Sequence, residues 1–356
     1  MFGMINLIFS FKPFYQIEAQ NDMNRSYMSL NSPKIDLENL KLQTITYSLS
    51  INPSVKKLAK FNNKFDQYLE KDSIISSEFL KYYKRKEFTN SNSIHLANSI
   101  FCYCSSPLSG GAVYIHGIRT YVSLQRMIFL RCISKFYQSI NEREFASGGA
   151  VFCYSKTTHI SYTCFDSCNS KFIGLAFYSQ IQNEQDHVVN YSSVSLSFST
   201  VGKFAFCMEG GISHVDNLNS TKNKAESTSG GGFGSYPIPQ NGFIKYSQFE
   251  RNSGKKIFML QLENDKNHQI NSCNFINNTL LHSSLAILCC SSGLILKKFY
   301  FVANEGNLIY TLSYISLVSC VTDQESFGLS PNCKLQNCKV KKLDTEPLKL
   351  KFMQVC

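Results

Sequence analysis

The residues able to do chemistry lie apart along the chain. Asp166, Glu184, Asp186, Glu209, Asp216, Glu250, Glu263 and Asp265 are mostly isolated carboxylates. Hydrolysis or elimination on a polysaccharide needs two carboxylates converging on one bond, or a carboxylate-bound calcium with Arg or Lys close by. Asp166 and Glu250 each follow a Phe directly, at Phe165 and Phe249, but the two sites are far apart in sequence. Cys102 and Cys104, Cys164 and Cys168, Cys289 and Cys290, and Cys333 and Cys338 form local pairs. None has the doubled spacing of a zinc ribbon or finger, and Cys333 with Cys338 is the pair best placed for a structural zinc or a disulfide. The histidines, at 95, 116, 159, 187, 214, 268 and 282, are scattered. No nucleophile elbow or Cys/His signature stands out. Gly230-Gly231-Gly232-Phe233-Gly234 lacks the following Gly-Lys-Ser/Thr of a phosphate loop. The sequence therefore predicts no catalytic, cofactor-binding or metal-binding residue.

Composition favours strands. Phe (28) and Tyr (19) are abundant, Trp is absent and charged residues make up 17% of the 356 positions, which suits short strands with polar turns. The formal charge of +11 is spread along the chain, so no nucleic-acid partner is expected. Its dense runs, Lys81-Tyr82-Tyr83-Lys84-Arg85-Lys86 and Lys339-Val340-Lys341-Lys342, read as a solvated helix face and a solvated tail. At Cys104, Cys132, Cys153, Cys164 and Cys168 a packed hydrophobe would serve as well, so these five of the 14 cysteines read first as buried thiols, with disulfides as the alternative. The apolar run at 1–11 is a weak candidate signal peptide without a basic leader. No window approaches 18 apolar residues, so no transmembrane segment is predicted.

What could position such residues is an internal repeat. An aliphatic residue stands five positions before a Phe, and Cys or Asn three positions after it, in six places. These are Leu96, Phe101 and Cys104; Leu124, Phe129 and Cys132; Ile160, Phe165 and Cys168. Downstream come Ile244, Phe249 and Asn252; Ile270, Phe275 and Asn278; Leu296, Phe301 and Asn304. The Phe-to-Phe intervals are 28, 36, 84, 26 and 26, so the long gap has room for two degenerate copies, one near Val194-Ser195-Leu196-Ser197-Phe198. A second motif, Gly-Gly-Ala-Val-aromatic, opens at Gly110-Gly111 and at Gly148-Gly149, with weaker forms at Gly174-Leu175-Ala176-Phe177 and Leu285-Ala286-Ile287-Leu288.

Short strands punctuated at this period predict an all-β solenoid in which each unit is one turn of a parallel β-helix. About nine rungs, each adding roughly 4.8 Å, would run from residue 93 to 320. The aliphatic, Phe and Cys/Asn positions then become inward ladders. Helical spacing at Val55, Leu58, Phe61, Phe65, Tyr68 and Leu69, and a second helical piece at 77–86, predict a partly helical cap over 1–93. The polar, Gly-rich segment 209–242 reads as a flexible loop leaving one rung, and 331–356 as a tail or end-cover.

Gly-Gly-Ala-Val with Phe-x-x-Asn resembles the paired repeat motifs of the polymorphic outer-membrane proteins of chlamydiae and of similar protein families in trichomonad protists. The likeness spans about residues 94–320, with the first motif intact at Gly110 and Gly148, and the second at Phe249–Asn252, Phe275–Asn278 and Phe301–Asn304. It implies a right-handed, single-stranded parallel β-helix of the pectin-lyase-like kind over 94–330. It also implies a cell-surface or secreted location and an adhesin-like role. The expected function is thus a non-enzymatic binding or structural protein, with carbohydrate or protein ligands met along the rod face or at loop 209–242. The alternative is a carbohydrate-active lyase or hydrolase on the same scaffold.

Overall fold

The structure, a computed structural model, describes residues 73–74 and 80–341 apart from 136–145, 183–184, 227–229, 239–241, 263–267, 282–285, 291–293, 312–313, 326 and 328–332. These residues fold as an all-β parallel solenoid with no helix among them. The strands are stacked rung on rung, and every strand pairing is parallel. Each rung visits three sheets in turn. One rung runs through Tyr121–Leu130, Ile133–Ser134 and Val151–Ser155, and each strand pairs with its counterpart on the neighbouring rungs. The helical spacing at 55–69 lies outside the described residues.

The inward ladders pair in register. Leu96, Leu124, Ile160, Val189, Val215, Ile244, Ile270 and Leu296 follow one another as Cα partners. So do Phe101, Phe129, Phe165, Val194, Ser220, Phe249, Phe275 and Phe301. The gap of 84 residues therefore does hold two copies, at Val194 and Ser220. On a regular strand a five-residue spacing would put the aliphatic and Phe side chains on opposite faces. Two positions after the aliphatic residue, Asn98, Arg126, Tyr162, Tyr191, Asn217 and Tyr246 have φ of 47° to 59°. This left-handed residue resets the alternation, so both side chains point inward. A second left-handed residue, such as Arg131 or Asn277, does the same for the three-residue step from Phe to Cys or Asn.

That last column has one consistent task. Asn252, Asn278 and Asn304 donate Nδ2 to the carbonyl of Ser220, Phe249 and Phe275 on the rung before, at 2.8, 2.8 and 2.7 Å. Their Oδ1 atoms accept the backbone N–H of the preceding ladder residue, as Asn304 does from Asn278 at 3.0 Å. Cys132 and Cys168 make the same upward contact more weakly, Sγ lying 3.5 and 3.6 Å from the carbonyls of Phe101 and Phe129. The buried-cysteine expectation holds for Cys104, Cys132, Cys153 and Cys168, which are free and buried, while Cys164 is buried and disulfide-bonded.

The Gly-Gly pairs meet neighbouring backbone. A Cβ on Gly149 would lie 2.0 Å from the Leu175 carbonyl oxygen, and one on Gly111 2.2 Å from that of Gly149, while Gly110 and Gly148 have φ of +69° and +63°. Side chains are excluded at all four by contact or by backbone conformation.

Three expectations are corrected. Segment 209–242 is not a loop, because Ile212–Thr221 is a full strand paired along both neighbours and Lys224–Ala225 and Phe233–Ile238 complete the rung. Phe233 is in register with Phe206, which pairs with Phe177 and through it with Val151, so Gly230-Gly231-Gly232-Phe233 is a further copy of the Gly-Gly-Ala-Val motif. Ser at the Phe position hid this rung. The helical piece at 77–86 is strand at Leu80–Tyr82 and from Lys86, where Tyr82 stacks on Phe101 at 4.9 Å between ring centroids. The aromatic ladder overrides the charged run around it. Part of the supposed tail, Cys333–Gln336 and Lys339–Val340, pairs in register as another rung.

Candidate functional site

The repeat residues singled out in the sequence all face the core. The ladder residues and Gly110, Gly111, Gly148 and Gly149 are buried, so they build the solenoid and present nothing to a ligand. The outward positions are the ones open to solvent.

The described carboxylates are held in separate pairs. Asp166 accepts from Ser195 Oγ at 2.7 Å and from Ser167 Oγ at 3.2 Å. Asp186 lies 3.2 Å from His214 Nε2, Asp216 pairs with Lys245 at 3.0 Å, and Glu250 pairs with Arg251 at 3.5 Å. Asp166 and Glu250 do share one outward column, with Ser195 and Thr221 between them. Three rung steps put them roughly 14 Å apart, beyond the spacing at which two carboxylates act on one glycosidic bond. Glu184, Glu263 and Asp265 lie outside the described residues.

Sequence reasoning missed one cluster. On the outer face of the third sheet, Ile173, Tyr178, Phe204 and Cys207 form a small second core, flanked by Phe152, Phe172, Tyr236 and Met259. Tyr178 Oη donates to Glu209 Oε2 at 2.5 Å. Burial, reinforced by the Glu209 charge, pushes the Tyr178 hydroxyl up. Burial and the neighbouring Cys207 do the same to Tyr236. Gly234 was the available signal: a Cβ there would lie 2.5 Å from the Phe204 ring.

Buried cysteines and histidines are held neutral. Burial raises the thiols of Cys153 and Cys207 and takes Cys273 to about 12, which disfavours the nucleophilic thiolate. His187 is fully buried, with Nε2 2.9 Å from the Gly210 carbonyl and Nδ1 without a partner among the described residues; desolvation lowers it to about 4. Cys333 and Cys338 are both free, and no group of three metal-ligating side chains occurs among the described residues. No helix among them is long and apolar enough to cross a membrane.

The short second sheet presents a different surface. It is interrupted, Ile133–Ser134 and Asn169–Ser170 pairing in one piece and Phe198–Ser199, Lys224–Ala225 and Ser253–Gly254 in another, and in each of these two-residue strands the second residue is buried. Exposed on this side are Leu196 (51%), Phe198 (42%) and Val201 (49%), with Arg131, Lys135, Lys171, Lys222 and Arg251 around them. Comparison with known proteins finds no matching family model, curated protein or solved structure.

Proposed function

We propose that the chain is a non-catalytic binding module on a right-handed, pectin-lyase-like parallel β-helix, related in design to polymorphic outer-membrane protein passengers. In this reading it acts at a cell surface or after secretion, in an adhesin-like way. One observation carries the reading: Leu196, Phe198 and Val201 are exposed apolar side chains on a single rung, at and beside the strand Phe198–Ser199, whereas carboxylates that could act on a sugar are engaged with Ser, His, Lys, Arg or Tyr partners. Exposed apolar patches rimmed by polar residues mark interaction sites. The test combines surface labelling of cells carrying the tagged full chain with a reducing-end assay on acidic and neutral polysaccharides. Surface labelling without sugar release is expected. Steady release of reducing ends, or an unlabelled internal pool only, would overturn it.

The carbohydrate-active enzyme remains the second reading, and the half-buried Tyr178–Glu209 pair favours it. If that pair does chemistry, Glu209→Gln abolishes sugar release while leaving the fold intact.

A further inference from the structure

We propose that the outer face of the short second sheet binds a linear, polyanionic polysaccharide, one bearing sulfate or carboxylate groups along its length. The proposal rests on the binding-module reading and names the partner class and the face that meets it.

Three outward columns make this face. The left-handed corner residues include Arg131, Lys222 and Arg251. The outward residue of each two-residue strand includes Phe198 and Lys224, register partners on adjacent rungs. The position following each strand includes Lys135, Lys171 and Lys255. Lys135, Lys171 and Lys222 are exposed and make no ion pair among the described residues. Cations thus sit on two pairs of adjacent rungs, Arg131 and Lys135 beside Lys171, and Lys222 beside Arg251 and Lys255, with the rung of Leu196, Phe198 and Val201 between them; within each pair the rungs are about 4.8 Å apart, close enough for one polyanionic chain to meet both.

The chemistry between the cations favours sugar over other polyanions. Lys224 stands over the Phe198 ring at 5.6 Å. With a cation on that ring, bases have little left to stack on, and stacking is what single-stranded nucleic acid needs. Leu196 and Val201 leave an apolar centre for sugar C–H groups.

The test is titration of the full chain with heparin, hyaluronate, a neutral glucan and single-stranded DNA across a salt series. Heparin binding should weaken steadily with salt, and the combined variant Lys135→Gln, Lys171→Gln, Lys222→Gln, Lys255→Gln should lose about tenfold or more with a shallower salt slope. A control, Lys297→Gln, Lys298→Gln, Lys334→Gln, Lys339→Gln, on the first sheet should bind as the parent does. Binding to hyaluronate as well would assign the contact to carboxylates, and binding to heparin alone to sulfates. Equal losses in both variants, tighter binding of DNA, or binding of the neutral glucan alone would overturn the proposal. The last result would leave the binding-module reading standing, whereas sugar release would overturn that reading separately.

Discussion

Ser220 is the register partner of Phe249, so a small polar residue occupies the column that holds Phe on six other rungs. The volume is made up from the third sheet. Where the first sheet carries Val194 and Ser220, the third carries Phe206 and Phe233. Phe206 meets Phe165 edge-on at 5.9 Å, and Phe233 meets Phe249 at 6.3 Å. The aromatic stack thus crosses the core through Phe177, Phe206, Phe233 and Phe258, then rejoins the first sheet at Phe249 and Phe275.

That crossing makes the repeat consensus a poor guide at this rung. Ser220→Phe should destabilise the chain by about 1–3 kcal/mol through overpacking, although it restores the commonest residue. It also removes the hydroxyl that accepts from Asn223 Nδ2 at 3.1 Å. Chemical denaturation of the two proteins checks this.

Phe129 lies between Phe101 and Phe165 at 5.3 and 5.0 Å. Phe129→Ala should cost about 3–5 kcal/mol as a core deletion, read as a lower denaturation midpoint with an unchanged slope.

The Cys/Asn column should be graded by hydrogen-bond strength. Asn278→Ala leaves the Phe249 carbonyl and the Asn252 N–H without their side-chain partners, which should cost roughly 2–5 kcal/mol. Cys132→Ser should cost less than about 1.5 kcal/mol, because a hydroxyl can make the contact the thiol makes only weakly. Ser197 already occupies this column. Thermal unfolding of both variants orders them.

Acid should weaken the fold before the carboxylates protonate. His187 is held neutral to about pH 4 by burial, whereas in the unfolded chain an ordinary imidazole takes up its proton near pH 6.5. Below pH 6.5 the unfolded state binds more protons, so stability falls between about pH 6.5 and 4, by roughly 2–3 kcal/mol for this residue. His159, also lowered to about 4 by burial, acts in the same direction. Stability measured against pH should show that slope, and His187→Gln should flatten part of it.

Much of the architecture was legible because a solenoid writes its register into sequence. Leu96 and Phe101 recur with fixed spacing since each is in register with its own kind on the next rung. Legibility failed where the core was filled from another sheet, as at Ser220, or where glycines served strand packing, as at Gly231 and Gly232. It failed too at Leu80–Tyr82, where Tyr82 extends the ladder from within a basic run. The outer surfaces were the least legible. The Tyr178–Glu209 contact joins residues on neighbouring rungs of the third sheet, and the basic second-sheet face gathers residues spaced about a rung apart, so neither forms a local motif.

The central claim is that the inward columns build the solenoid while the outward face binds without cleaving. Calorimetric titration of the full chain with heparin, followed by reducing-end analysis of the recovered glycan, tests both halves on one sample. Salt-sensitive binding with the glycan recovered intact is the predicted result. Cleaved glycan, or no heat of binding at low salt, would contradict it.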